Sequence, residues 1–194
     1  MKEIREILSE IPNLELLNLD DAGVPYSPEE EDLEPFETFE ENASSKAVYF
    51  RRKTDLPTIA DDSGLEVDAL NGAPGVRTKR FAPGDELEGE ARDQANNAYL
   101  LSRLEGEPAQ KRGARYVCVA ALAWDTGKVD VFRGEASGIV LDEARGSSGF
   151  GYDPIIQDES SGKSFAELTP DEKNARSHRG RAFRALGEAL RGKP

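Results

Sequence analysis

Apolar positions recur at helical spacing where the chain begins. Ile4, Ile7, Leu8 and Ile11 fall at i, i+3, i+4 and i+7, so the chain opens inside an amphipathic helix. Leu14–Leu19 (LELLNL) reads as a strand, and an acidic, proline-bearing loop follows from Asp20 to Glu37. A second helix is predicted over TFEENASSKAVYF, where Thr38 stands three residues before Glu41 as in a capping box. Two short strands follow, LPTIAD and LEVDAL, with a turn of Asp61, Asp62, Ser63 and Gly64 between them. A Gly- and Pro-punctuated loop, NGAPGVRTKRFAPGD, leads to a helix over Glu88–Leu104 with Ala91, Ala95, Ala98 and Leu101 or Leu104 on one face.

The second half is richer in strands. ARYVCVAALAW and KVDVFRGEASGIVL are joined by a Thr126–Gly127 turn and predict an antiparallel hairpin of long strands. The glycine-rich DEARGSSGFGYDPII enters another strand. The chain closes as helix, with Thr169 as cap, Pro170 at the first position and Glu172 third, and with a restart at Ser177. Phe183, Leu186, Ala189 and Leu190 mark its core face, and Gly192 its end. Strands mixed with helices on 194 residues predict one α/β domain over residues 1–194, a mixed central sheet flanked by helices.

Charge narrows the partners. The formal net charge of −13 repels nucleic acid and anionic lipid, which removes the electrostatic footprint of a general nucleic-acid binder. A small anionic ligand then needs a metal ion or a local basic cluster. The lone Cys118 permits no intrachain disulfide and sits in an apolar run, so it reads as a buried small hydrophobe. That run, Val117 to Trp124, is far short of the ~20 residues that span a bilayer. The charged start MKEIREILSE has no signal-peptide apolar block, which predicts a cytoplasmic protein.

Three polar clusters could carry chemistry. In extended backbone Asp61 and Asp62 point to opposite faces, and a strand-end carboxylate beside Ser63 and Gly64 suits a divalent metal or a general base. In GSSGFGYDP, glycines let the backbone approach a ligand while Phe150 and Tyr152 offer planar faces. EKNARSHRGR holds the only histidine, His178, in the densest basic patch, with Lys173 and Ser177 at i, i+4; phosphate is the natural partner of such groups. Arg181 and Arg184 read as solvent-facing.

Together, TFEENASSKA, ADDSGLEVDALNGAPGVRTKRFA, GFGYDPII and AELTPDEKNARSHRGRA occur in the order found in the inosine triphosphate pyrophosphatase family, which the chain resembles from Lys2 onward. The resemblance implies two lobes with a nucleotide-binding cleft, a homodimer and Mg²⁺. The implied reaction cleaves deaminated purine nucleoside triphosphates (ITP, dITP, XTP) to nucleoside monophosphate and pyrophosphate. It further implies Asp62 as general base and metal ligand, with Glu34 as a second metal-linked acid. Ser63, Phe150, Gly151, Tyr152, Asp153, Lys173, His178 and Arg179 become substrate-binding positions, and Asp61, on the opposite face, takes a hydrogen-bonding role.

One departure accompanies the match. The family's first strand ends in a Thr/Ser-x-Asn-x-x-Lys phosphate loop, whereas MKEIREIL matches the helix after that lysine, so strand and loop are expected to be missing here. Such a loss exposes a sheet edge and weakens triphosphate binding. Two other readings therefore stand beside the first: a Maf-like pyrophosphatase for other modified nucleotides, and a nucleotide-binding protein inactivated by loss of that loop.

Overall fold

The computed structural model describes residues 2–9, 11–84 and 86–192. Met1, where the opening helix was expected to begin, and Asp85, at the end of the Gly/Pro loop, lie outside the described residues. The elements are α1 (Lys2–Leu8), α2 (Phe39–Thr54), β1 (Thr58–Val67), β2 (Pro74–Gly75) and α3 (Gly89–Arg103), then β3 (Gly113–Ala123), β4 (Val129–Val140), β5 (Ile156–Asp158), α4 (Pro170–Arg176) and α5 (His178–Arg191). The strands form one five-stranded sheet in the order β2-β1-β3-β4-β5. Both end pairs are antiparallel, with Leu65 opposite Gly75 and Val140 opposite Ile156. This is the α/β class the patterning predicts.

The chain divides into two compact units. The first takes residues 1–63, 118–134 and 178–194, and the second 64–117 and 135–177. Each has its own core. In the first, alternate residues Cys118, Ala120 and Leu122 of β3 pack with Leu8, Ile11 and with Ala182, Phe183 and Leu186 of α5. Gly187 of α5 faces α1, where a Cβ would make ordinary van der Waals contact with Leu8 Cδ2 at 3.4 Å. In the second, Leu65 and Val67 of β1, Tyr116 of β3 and Val140 of β4 pack with Leu100 and Leu104 of α3 and with Ile155, Ile156, Phe165 and Leu168. Each fully buried Leu, Ile or Phe contributes roughly 1.5–3 kcal/mol of transfer free energy.

Both predicted caps form, but the reciprocal box forms only at Thr169, because the Glu41 carboxylate meets the Thr38 hydroxyl and not its backbone N–H. Thr38 Oγ1 accepts from Glu41 N (3.2 Å) and donates to the Glu41 carboxylate (2.7 Å). At Thr169 the box is reciprocal: the hydroxyl accepts from Glu172 N (3.3 Å) and Thr169 N donates to Glu172 Oε2 (2.9 Å). The hairpin between β3 and β4 closes with Trp124 N donating to Lys128 O at 2.8 Å.

Four expectations change. Leu14–Leu19 is not a strand: Leu14 and Leu16 pack on the first core, but no ladder pairs the segment, and alternation without a hydrogen-bonding neighbour does not make a strand. The two short strands around Asp61–Gly64 are one continuous strand, β1, with no turn between them. The buried face of α3 is Arg92, Asn96 and Leu100, not the alanines. Arg92 donates to the carbonyls of Ala82 and Leu87 (both 3.1 Å), and Asn96 accepts from Ala82 N (2.9 Å) and donates to Lys79 O (3.2 Å). These polar side chains are buried because they satisfy loop backbone groups that have no ladder. Finally, Ser177 sits at the break between α4 and α5 with extended dihedrals (φ −63°, ψ 138°), so it shares no helix face with Lys173.

Candidate active site

Strand alternation sorts the acidic pair, because successive side chains leave opposite faces. Asp62 is buried, 9% exposed. Its Oδ2 accepts from Asn42 Nδ2 at 3.1 Å, its Oδ1 from Ser63 N at 3.0 Å, and Lys46 Nζ stands 3.9 Å from Oδ1. Asn42 and Lys46 are i, i+4 on α2, hence on one face of the helix. Asn42 also bonds both backbone groups of Phe36 (3.0 and 3.2 Å), which ties the preceding loop to the strand. Lys46 donates to Asp61 O at 2.5 Å and pairs with Glu34. Burial pushes the Asp62 carboxyl above its usual range and Glu34 adds to this, while Lys46 and the Asn42 amide pull it back.

Glu34 and Asp62 thus meet around one ammonium. Two hard carboxylate donors suit Mg²⁺, which takes one or two protein carboxylates and completes its shell with water and substrate oxygens. Among the described residues no group of three or more His, Cys, Asp or Glu is arranged to hold a metal. The donor set fits the ion.

The other face of β1 is spent differently. Asp61 Oδ2 accepts from Arg179 Nη2 (3.1 Å) and Nε (3.3 Å), from Ser63 Oγ (3.2 Å) and from the Cys118 thiol (3.7 Å). Burial, reinforced by the Asp61 charge, pushes that thiol up to about 12. Arg179 and half-buried His178 open α5, where β4 comes very close. A Cβ on Gly134 would lie 2.2 Å from His178 O and 2.4 Å from Ala182 N, so only glycine admits this packing.

The aromatic–basic group lies in the second unit. Phe150 is 71% exposed, with Lys173 Nζ 4.7 Å from its ring centroid. Lys173 also pairs with buried Asp153, which accepts from Phe150 N (2.9 Å) and Tyr116 Oη (3.1 Å). Burial, then the Asp153 charge, holds the Tyr116 phenol well above its usual range. Tyr152 Oη donates to Thr78 O at 2.8 Å. Gly149 has φ +85°, and a Cβ there would fall on the Asp153 carboxylate.

So Glu34, Asp62, Ser63, His178 and Arg179 belong to the first unit, and Phe150, Gly151, Tyr152, Asp153 and Lys173 to the second. The basic stretch read as one cluster is divided at Ser177, Lys173 serving Asp153 and Arg179 serving Asp61. Sequence reasoning missed Asn42 and Lys46, although an Asn-x-x-x-Lys pair just inside a capped helix was there to read. It also missed Tyr116, which pattern alone shows only as core.

Comparison with known proteins now decides the relationship. The model of the Ham1 family matches residues 1–189. The chain belongs to the Ham1 family. Among Ham1 relatives, the dITP/XTP pyrophosphatase of Frankia alni is 45% identical over 192 residues, covering 98% of this chain and 92% of that protein. The dITP/XTP pyrophosphatase of Geobacter sulfurreducens is 47% identical over 190 residues, with 98% and 90% covered. Solved Ham1 structures agree in fold. The HAM1 protein from Coxiella burnetii matches with a TM-score of 0.84 at 37% identity, covering 97% of this chain and 91% of that one. The Staphylococcus aureus Ham1 protein matches with 0.85 at 33% identity, covering 100% and 93%.

Proposed function

We propose that this protein hydrolyses deaminated purine nucleoside triphosphates, ITP, dITP and XTP, to the nucleoside monophosphate and pyrophosphate. The observation that carries this reading is the buried Asp62, set among Asn42, Lys46 and Glu34, in a chain 42–47% identical to dITP/XTP pyrophosphatases over nearly its whole length.

Water adds across the anhydride between the α- and β-phosphates: its oxygen bonds phosphorus in line, and pyrophosphate leaves with the bridging oxygen. Asp62 accepts the proton that the water sheds, and its raised affinity for a proton suits a base. Asp62 and Glu34 would hold Mg²⁺, which when bound supplies charge neutralisation for the triphosphate and makes a ligated water more acidic. Asn42 keeps the Asp62 carboxylate in one orientation, and Lys46 offers its ammonium to phosphate oxygens once it turns from Glu34. Phe150 presents a ring on which a purine stacks, backed by Lys173. Gly151, Tyr152 and Asp153 shape the turn that carries it, and Ser63, whose N–H bonds Asp62 while its hydroxyl donates to Asp61, is taken as a further substrate contact. His178 and Arg179 supply donors that accept a 6-keto purine and leave the amino group of adenine unmatched. The same reading takes the protein as a cytoplasmic homodimer; among the described residues no helix is long and apolar enough to cross a membrane.

Pyrophosphate release from ITP, XTP and dITP, compared with ATP and GTP in the presence of Mg²⁺, tests this. The deaminated nucleotides should be turned over far faster. Equal rates on ATP, or no turnover of any of them, would overturn the reading.

A further inference from the structure

Gly151 lies between the most exposed large aromatic side chain, Phe150, and the buried Tyr152, in a turn with positive φ at Gly149 (85°) and Gly151 (61°). Such a turn has no ladder to hold it. Its central peptide groups are instead satisfied from α3: Gly151 N donates to Asp93 Oδ2 at 2.7 Å, and Asn97 Nδ2 donates to Gly151 O at 3.0 Å. Asp93 and Asn97 are i, i+4 on that helix, so one face grips the glycine's N–H and its carbonyl together. The buried Asn97 Oδ1 has no partner among the described residues, which leaves the Gly151 carbonyl as the group that orients the amide. The preceding helical residue, Asn96, donates to the carbonyls of Thr78 (3.4 Å) and Lys79 (3.2 Å), and Thr78 O also receives the Tyr152 hydroxyl. One helix therefore fixes the turn from two sides.

We infer that Asp93 and Asn97 are positioning residues for purine recognition, locking Gly151 so that the Phe150 ring is presented in one fixed attitude. The inference rests on the functional reading above and deepens it. The clamp contributes no group to the bond-breaking step; it removes the freedom that an exposed ring on a glycine-rich turn would otherwise lose on binding. Its loss should therefore appear in KM and in base discrimination, and hardly in kcat. It also means that the Gly151 N–H is already engaged, so this glycine acts through shape and not as a free donor.

The test is steady-state kinetics on ITP and ATP for the wild type and for Asp93→Ala, Asp93→Asn, Asn97→Asp and Asn97→Ser, with thermal melting of each. Asp93→Ala removes an acceptor, and Asn97→Asp turns a carboxylate on the Gly151 carbonyl. Each should raise KM for ITP by ~tenfold and reduce the preference for ITP over ATP by a similar factor, with kcat within about threefold. Asp93→Asn keeps an acceptor oxygen and should stay within about threefold of wild type in both. If the two disruptive variants do not fold, Asn97→Ser, too short to reach the carbonyl, carries the same expectation. Unchanged KM and preference in folded variants, a fall in kcat at constant KM, or a lowered melting temperature with unaltered kinetics would each overturn the clamp. A wild type with no preference for ITP overturns the functional reading before any variant is compared. An intact wild-type preference with unmoved variants overturns the clamp alone.

Discussion

Asp62 and Asp153 are both buried acids, 9% and 4% exposed, yet their surroundings differ in kind. Asp62 sits inside a regular strand and is held by neighbours on the adjoining helix, an amide and an ammonium that stands 3.9 Å away. Asp153 sits at a turn and is saturated by a phenol, a backbone N–H and an ion-paired lysine. The first carboxylate has charge that its protein partners leave incompletely matched; the second is consumed in building the turn beneath Phe150. A buried acid with a raised proton affinity and hard-oxygen company is poised for chemistry. A buried acid ion-paired to a lysine and bonded to the backbone of its own turn is architecture in the service of recognition.

The largest test of this contrast is Asp62→Asn. The amide keeps the shape and the bond from Ser63 N but cannot take a proton, so turnover should fall by about 10²–10⁴-fold. Melting temperature and circular dichroism should stay near wild type. Retained turnover would place the base elsewhere.

The reverse face of β1 makes a second prediction, about protons. With its thiol pushed up to about 12, Cys118 carries on the order of a thousandfold less thiolate at pH 8 than an ordinary cysteine. A thiol reagent should therefore leave the native protein unmodified at pH 8 and label it on unfolding. The sign of the linked stability follows. The folded value lies above the ordinary 9.0, so this contribution is fully present below pH 9 and is lost as pH rises towards about 12. A urea midpoint that falls across that window checks it.

How far the sequence showed this contrast depends on what holds each acid. Asp62 and Asp61 were legible because period-two alternation is a local rule: it needed only an extended backbone, and a continuous strand satisfied it even better than the expected turn. The caps at Thr38 and Thr169, the β3–β4 hairpin and the α5 core were legible for the same reason, since their partners lie within a few residues. Arg92 and Asn96 were not. Hydrophobic periodicity ranks them as solvent-facing, and only the backbone groups of an irregular loop, from Thr78 to Leu87, explain their burial. Asp153 has the same difficulty, with Tyr116 37 residues distant, and Leu14–Leu19 shows the converse, a good pattern without a ladder.

A third prediction sharpens the division of labour within the acidic pair. Asp61→Asn weakens the charge-assisted bonds from Arg179, so KM for ITP should rise by ~tenfold while kcat stays within about threefold. Removing the Asp61 charge should also raise native Cys118 reactivity, a readout that simple loosening of the fold would couple to a lower melting temperature. A collapse of kcat comparable to that of Asp62→Asn would mean that the two faces of the strand are not separate in function.

The smallest effects belong to the turn in the second unit, and they separate its two aromatics. Phe150→Ala removes a stacking surface worth ~1–3 kcal/mol per base, so KM for ITP should rise at least about fivefold with little change in stability, the ring being 71% exposed. Tyr152→Phe removes only the hydroxyl that donates to Thr78 O, and that carbonyl keeps the Asn96 amide at 3.4 Å. The cost should be ~1 kcal/mol of stability, seen in the urea midpoint, with KM moving less than about threefold. If Tyr152→Phe instead raised KM as much as Phe150→Ala, the turn would be recognising the base through its buried member, and the exposed ring would be a bystander. The contacts of Asp153 predict the opposite: its Oδ2 accepts from the Phe150 N–H and holds that residue in place, and Phe150 is the residue whose loss the substrate should feel.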